Sequence, residues 1–160
     1  MSESVTLLPS RPLTAAAFAP YGQVIDHDGF EGRIYRGDLI ENRRPQARLD
    51  LSFTLVAASS LPCPLKLFER HAFSAQAFIP LDVAGYLVTV CPDDGRGRPD
   101  PSQAVAFLAR PDQSIVYAAG TWHHPMVALQ RPGRFAIVMW MMGDAGDEEL
   151  VPLTAPVTVG

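Results

Sequence analysis

Short apolar runs separated by turn-forming residues make up most of the chain. The clearest, within ARLDLSFTLVAA, alternates Leu49, Leu51, Phe53 and Leu55 with polar residues, and this period of two is typical of a half-buried strand. Other short runs, each bounded by Pro, Gly, Asp or Arg, are PLKLFERH, AQAFIP, GYLVTVC, QAVAFLA, QSIVYAA, HPMVALQ and RFAIVMWMM. Strands at such regular spacing predict an all-β sandwich or barrel.

The segment LTAAAFAPYG holds the one good helix signal. Thr14 is placed to cap a short Ala-rich turn, which Pro20 and Gly22 prevent from continuing. The expected fold is therefore all-β with one or two short helices. CPDDGRGRPDPS predicts a polar hairpin or excursion between strands, and GDAGDEELVPLTAPVTVG predicts an acidic tail that packs against the core or a partner.

Length and composition favour one folded domain spanning residues 1–160. Apolar residues make up 48% and charged residues 19% of the chain, which argues against disorder. The formal net charge of -4 gives no basic surface for nucleic acid. The N-terminus lacks a basic, apolar secretory signal, and no run of roughly 18 apolar residues occurs. We therefore expect a cytoplasmic protein without membrane contact, with Cys63 and Cys91 as free thiols.

Candidate chemistry gathers around two short segments. Glu69 and His71 are two residues apart on a predicted strand, so their side chains lie on the same face, and Gln76 follows across a turn. In GTWHHPM, strand alternation sends His123 to the face opposite His124. At most one histidine of this pair therefore faces a given cavity.

If Glu69, His71, Gln76 and His123 converge inside a barrel, they offer carboxylate, imidazole and amide groups in one small volume. Such a set can bind a divalent cation or act as acid and base on a small substrate. The alternative is structural, because a histidine in an apolar strand is often a hydrogen-bonded core residue and a glutamate beside an arginine is often a solvated pair. Spacing alone leaves both interpretations open.

Three further residues are weaker candidates for substrate contacts. Lys66 and Arg70 are placed to hold a carboxylate, although surface charges are the simpler interpretation. The Tyr117 hydroxyl could donate to a developing oxyanion, although buried tyrosines commonly bond only a backbone carbonyl.

The segments ERHAFSAQAFIP and RPDQSIVYAAGTWHHPM closely resemble the ureidoglycolate lyase family. The matching family segments read much like E-R-H-P-x-G-x-Q-A-F-x-P and G-V-N-Y-x-x-G-x-W-H-H-P. The similarity extends from LTAAAFAPYGQVID to about Val138. It implies a cupin-type antiparallel β-barrel, jelly-roll-like and usually a homodimer. It also implies cleavage of the small molecule ureidoglycolate to glyoxylate and urea, a step of allantoin and purine catabolism.

The resemblance also implies roles for individual residues. Glu69, His71 and Gln76 stand at the first cupin motif and His123 at the second, with two of the four usual ligand positions substituted. The resemblance makes no cofactor certain, but it allows a divalent metal, with nickel sometimes assigned to the family, and these four residues are its expected ligands if one is bound. In catalysis, His123 or His71 is expected to act as base while Glu69 orients or relays the proton. The residues expected to bind substrate are Lys66, Arg70, Gln76, Tyr117 and His124.

Two segments depart from the family pattern. Upstream, DGFEGRIYRGDL keeps only Asp38 and Leu39 of R-[FY]-H-D-L, and downstream Met139 and Trp140 replace an acid and an arginine of V-D-R-G-G. The loss of these polar positions leaves two alternatives open. One is a different metal-dependent cupin enzyme with a more apolar substrate, and the other is a cupin that binds a small ligand without catalysis.

Overall fold

Residues 5–160 are described by a computed structural model, and they form a β-protein with short helical turns. The one α-helix in this part of the chain, α1, covers Ala15–Phe18. The strands are β1 (Thr6–Leu8), β2 (Ser10–Pro12), β3 (Gly22–Asp26), β4 (Arg48–Val56), β5 (Ala58–Ser59), β6 (Cys63–Pro64), β7 (Leu67–Arg70), β8 (Gln76–Asp82), β9 (Tyr86–Cys91), β10 (Val105–Ala109), β11 (Gln113–Tyr117), β12 (Trp122–His123), β13 (Val127–Leu129), β14 (Gly133–Met141), β15 (Glu149–Pro152) and β16 (Val157–Val159). Single 3-10 turns lie at His27–Gly29, Gly37–Leu39 and Pro101–Gln103.

Two main sheets enclose the principal core. One has the order β15-β7-β12-β9-β10-β2, with β13 also beside β9 and β5 beside β13, and the other has the order β3-β11-β8-β14-β4. Most pairs within them are antiparallel. Tyr86 of the first sheet meets Phe135 of the second edge to face, with ring centroids 5.3 Å apart. The arrangement is the all-β, mostly antiparallel fold that the sequence predicts.

The first of these sheets is buried on both faces. A small third sheet, β1-β16-β6, lies over its outer side, where Phe68, Leu87 and Trp122 pack against Val157 and Val159. Double burial explains why every residue of β9 is buried, and why five of its six residues are apolar rather than alternating with polar ones. It also shows that the acidic C-terminal segment packs on the core through β15 and β16, one of the two placements expected for it.

The predicted short helix is present. The Thr14 side chain accepts a hydrogen bond from the Ala17 backbone N–H at 3.2 Å, which caps the first turn of α1. Phe18, at the end of this helix, is fully buried in the principal core. The cap and the buried aromatic residue together fix where the chain enters the barrel.

Strand β4 alternates as predicted, but its apolar face is the exposed one. Leu49, Leu51, Phe53 and Leu55 are 56–69% exposed, whereas Asp50, Ser52 and Thr54 are half-buried and face inward. This reverses the usual orientation of a half-buried strand. The inward side chains of β4 are polar because two of them, Asp50 and Ser52, line a cavity rather than a packed core.

Both cysteines are free and buried, as the sequence predicts. Burial raises the pKa of the Cys91 thiol to about 12, so this sulfur is protonated and unreactive at neutral pH. No helix within residues 5–160 combines the length and the apolar character needed to cross a membrane.

Candidate active site

Glu69, His71 and His123 meet where β7 and β12 pair. Glu69 and His123 are direct cross-strand partners, so their side chains lie on the same face, and His71 follows immediately after β7. One potential ligand atom from each of the three residues lies within 4.8 Å of the others. Gln76, the first residue of β8, lies in the opposite sheet, and its amide nitrogen lies 3.6 Å from the Met139 sulfur.

Backbone carbonyls orient both imidazole rings. His71 Nδ1 lies 2.8 Å from the Asp147 carbonyl oxygen, and His123 Nδ1 lies 2.9 Å from the Thr121 carbonyl oxygen. A carbonyl only accepts, so each Nδ1 carries a proton and donates it. In the neutral rings, Nε2 therefore holds a lone pair available to a metal or a proton.

Three polar atoms of the cluster are buried without a hydrogen-bond partner in the described part of the chain. They are His71 Nε2, His123 Nε2 and Gln76 Oε1. His123 Nε2 also lies 3.3 Å from Glu69 Oε1, outside hydrogen-bonding geometry. A lone pair facing a carboxylate is unfavourable unless a cation or a proton lies between them. The donor set therefore fits a bound divalent cation, through two imidazole nitrogens, a carboxylate and an amide oxygen.

Burial and neighbouring charges set the protonation of the cluster. Burial lowers the pKa of His71, and the bond to the Asp147 carbonyl only partly opposes this shift, so the ring is neutral near pH 7. Burial alone would raise the pKa of Glu69, but the neighbouring His123 and His71 imidazoles outweigh it, and the pKa is lowered. Burial and the charge of Glu69 raise the pKa of the adjacent Glu148.

A cavity of about 570 Å³ opens beside the cluster, a size in the usual range for small-ligand sites. His71 and Gln76 form one part of its wall, while Asp50 and Ser52 of β4 form another. The remaining lining residues come from β14 and the segment after it: Ile137, Met139, Met141, Gly143, Asp144, Ala145, Asp147 and Glu148.

The buried Asp147 carboxylate organises this segment. It accepts hydrogen bonds from the backbone N–H groups of Met142 at 2.8 Å and Gly143 at 2.6 Å, and it pairs with Arg44. Arg44 also pairs with Asp144 at 3.0 Å. Because the carbonyl of the same Asp147 holds His71, the loop and the imidazole are positioned together.

Tyr117 lies behind the cluster. Its ring stacks on His123 with centroids 3.9 Å apart and planes 13° apart, and it pairs with Gln76 in the strand register. Burial raises the pKa of its hydroxyl, which therefore stays protonated. The structure thus brings Tyr117 together with Glu69, His71, Gln76 and His123.

Lys66, Arg70 and His124 do not line this cavity. The Arg70 guanidinium lies 4.4 Å from the centre of the Trp122 ring and pairs with Glu149 and Asp93. Lys66 is exposed. The expectation that Lys66 or Arg70 holds a substrate carboxylate finds no support in these positions.

His124 has a complete set of structural bonds. Its Nδ1 donates to the Pro125 carbonyl at 2.8 Å, and its Nε2 accepts from the Lys66 backbone N–H at 3.2 Å. Trp122 packs in the outer apolar cluster, whereas His123 faces the barrel interior beside Tyr117. The histidine pair is thus divided between two faces, as strand alternation predicts.

Five polar residues that line the cavity were missed by sequence reasoning: Asp50, Ser52, Asp144, Asp147 and Glu148. The alternation of β4 placed Asp50 and Ser52 on one face, and that was the available signal. Nothing local distinguished Asp147 and Glu148 within the acidic tail. Of the two departures downstream of Val138, Met139 lines the cavity, whereas the Trp140 indole N–H donates to the Ile40 carbonyl at 3.0 Å.

Replacing Asp147 should destabilise the fold markedly. Asp147→Ala leaves two backbone N–H groups and Arg44 without this acceptor, so we expect the free energy of unfolding to fall by about 1–3 kcal/mol. Urea denaturation followed by tryptophan fluorescence measures the change. Glu149→Ala, which removes an acid from the more exposed Arg70 pair, is the control and should cost less than about 1 kcal/mol. Equal losses in the two variants would contradict the role assigned to Asp147.

Comparison with known proteins places this site in a family. The family model described as ureidoglycolate lyase matches residues 5–160. A protein of Agrobacterium fabrum, provisionally named ureidoglycolate lyase, is 41% identical over 150 residues, which cover 94% of this chain and 93% of that protein. The ureidoglycolate lyase of Brucella melitensis is 36% identical over 143 residues, covering 84% of this chain and 83% of the relative.

Similarity to solved structures is weaker. The structure of RmlC from Streptococcus suis in complex with dTDP-D-xylose aligns with a TM-score of 0.44 at 10% identity, covering 61% of this chain and 46% of that one. The family assignment rests instead on the sequence matches, which extend over both site segments. The chain belongs to the ureidoglycolate lyase family.

Proposed function

We propose that this protein is a lyase that cleaves ureidoglycolate to glyoxylate and urea, in the breakdown of allantoin and other purine products. The observation that carries the proposal is the set of buried, unpartnered His71 Nε2, His123 Nε2 and Gln76 Oε1 atoms beside a small cavity, in a chain of this family. The two free thiols agree with a cytoplasmic location, which is part of the proposal. No observation favours the alternatives of another metal-dependent enzyme or a non-catalytic binder.

Proton transfer is the main chemical step that the protein must catalyse in this reaction. Ureidoglycolate carries a hydroxyl and a ureido group on one carbon. A base removes the hydroxyl proton, the carbon–oxygen double bond forms as the carbon–nitrogen bond breaks, and an acid protonates the leaving nitrogen. The products are glyoxylate and urea, and no water is consumed.

The positions of the side chains suggest how these roles are divided. His71 borders the cavity and presents a free Nε2, which makes it the imidazole placed to take the hydroxyl proton. His123 lies deeper and is almost fully buried against Tyr117, so it orients Glu69 rather than meeting the substrate. Glu69, with Glu148 beside it at the cavity, is placed to relay the proton to the leaving nitrogen.

The same cluster fits a divalent metal, and nickel suits imidazole ligands. Glu69, His71, Gln76 and His123 would hold it. When bound, it would polarise the hydroxyl and carboxylate oxygens of the substrate. Each Nε2 lone pair can bind either a metal ion or a proton, but not both at once. With the imidazoles engaged as ligands, Glu148, which lies beside Glu69 at the cavity, is placed to take the hydroxyl proton.

Turnover tests the proposal directly. The wild-type protein should release glyoxylate and urea in equal amounts from ureidoglycolate, and His71→Ala and His123→Ala should each lower kcat by roughly a hundredfold or more. His27→Ala is the matched control, because His27 bonds Ser114 at 2.6 Å outside this cavity, and it should retain near-normal activity. Absence of product from wild type at high enzyme concentration would refute the function.

Metal binding is measured separately from activity. After treatment with a chelator, calorimetric titration with Ni²⁺ should give one site per chain, and His123→Ala should weaken binding by at least about tenfold because it removes a ligand nitrogen. The His27→Ala variant should bind as wild type does. If wild type shows no stoichiometric uptake of nickel or other divalent metals, the cluster is not a metal site and His71 is left as the base.

We also propose that the protein is a homodimer, with a second copy covering the outer face of β4. Four consecutive outward residues of this edge strand are large, apolar and exposed, and Leu81 of β8 is exposed as well. Contiguous apolar patches of this kind mark protein contacts.

Light scattering of Phe53→Asp tests the dimer. A charge at the centre of the β4 face should convert dimers to monomers, because the buried carboxylate would lack a partner. Leu7→Asp is the control, since Leu7 is similarly exposed, at 67%, but belongs to the outer sheet formed by β1, β16 and β6. A monomeric wild type, or an unchanged mass for Phe53→Asp, would contradict the assignment.

A further inference from the structure

Asp50 is a cavity residue that the proton-transfer scheme does not use. It is half-buried on the inward face of β4, and its carboxylate makes no hydrogen bond or ion pair with any residue in the described range 5–160. A partly desolvated carboxylate is costly unless something donates to it. Its position on the cavity wall places it where a ligand can supply that donor.

Strand register fixes where Asp50 lies relative to the cluster. Met139 of β14 pairs with Asp50 on one side and with Gln76 on the other, so the three side chains form one row on the same face of the sheet. Adjacent strands are about 4.8 Å apart, which places Asp50 roughly 10 Å from Gln76. The Gln76 amide oxygen is also buried and unpartnered, at 6% residue exposure. The row thus has an unpaired polar group at each end and Met139 between them.

This spacing suits a molecule of the size of ureidoglycolate. The longest path of bonded non-hydrogen atoms in ureidoglycolate has as many atoms as two residues of extended backbone, and these span roughly 7 Å. A ligand of this length reaches from the neighbourhood of His71 and Gln76 to Asp50 while lying over Met139. One end of the substrate therefore meets the cluster and the other meets β4.

The charges around the cavity decide which end of the substrate faces β4 and which end faces the cluster. The ionisable side chains of the cavity other than His71 are Asp50, Asp144, Asp147 and Glu148, and within residues 5–160 no lysine or arginine lines it. Asp144 and Asp147 are paired with Arg44, whereas Asp50 has no cationic partner in this range, and the cluster at the opposite end would hold a divalent cation. A carboxylate of the substrate would therefore be repelled at the β4 wall and attracted to a cation held by the cluster. A ureido group instead offers two parallel N–H donors, which match a carboxylate in the way that an arginine fork does.

We propose that Asp50 is a specificity-determining residue that binds the ureido end of the substrate through paired N–H donors. This inference rests on the proposed function, and it directs the carboxylate and hydroxyl of the substrate toward the end of the cavity where His71 lies and where the cluster would hold a cation. It also selects for an unsubstituted terminal amide nitrogen, because replacing that nitrogen with a methyl group removes one of the two donors.

Two ligands that cannot react test this without requiring turnover. N-carbamoylglycine keeps the ureido and carboxylate ends but lacks the hydroxyl, and N-acetylglycine has a methyl group in place of the terminal nitrogen. Calorimetry on the nickel-loaded protein should show wild type preferring N-carbamoylglycine by about tenfold or more, the value of a hydrogen bond to a charged group. Asp50→Asn should bind the two ligands within about twofold of each other.

The matched control is Asp82→Asn, the same change at a surface ion pair with Arg131, which should keep the wild-type preference. Retention of the preference by Asp50→Asn would overturn the inference, as would a wild-type protein with no preference or no binding of either ligand. Failure of wild type to release glyoxylate from ureidoglycolate would instead count against the proposed function. The two failures are therefore observed in separate experiments.

Discussion

The site depends on two hydrogen bonds from imidazole to backbone. The carbonyl groups of Thr121 and Asp147 each accept a hydrogen bond from the Nδ1–H of a histidine, and so fix which ring nitrogen remains free. One carbonyl lies just before β12 and the other in the segment that joins β14 to β15. The free nitrogens converge only because these two distant segments are held against the same end of the barrel. The positions of these two backbone segments therefore determine which imidazole nitrogens are available for chemistry.

The fold supports that placement by burying one sheet on both faces. Strand β9 packs aromatic residues on its inner side and the outer apolar cluster on the other, which leaves little freedom for the paired β12 and hence for His123. The opposite sheet differs, since the inward face of its edge strand β4 borders a cavity. One sheet is thus tightly packed on both faces, while the other borders an open cavity, and the cluster lies where the two sheets meet.

Much of this architecture could be predicted from sequence. Apolar periodicity located the strands, the Thr14 cap located α1, and alternation separated His123 from His124. Which face of β4 points inward was harder to predict, because a period of two identifies the two faces of a strand without showing which of them is buried. Asp147 and Glu148 were missed because their roles depend on a contact with Arg44 and Glu69, far away in sequence. Lys66 and Arg70 lie near Glu69 in sequence, yet their side chains do not reach the cavity.

The reversed alternation of β4 has a thermodynamic consequence. Successive residues of this strand belong to two different surfaces, since Leu51 and Phe53 face outward while Asp50 and Ser52 face the cavity. Any partner that orders the outer face also reduces the conformational freedom of the backbone that carries the inner one. With a second copy on the outer face, as proposed, association and ligand binding would be linked equilibria that share one strand, and by reciprocity each would change the affinity of the other by the same factor.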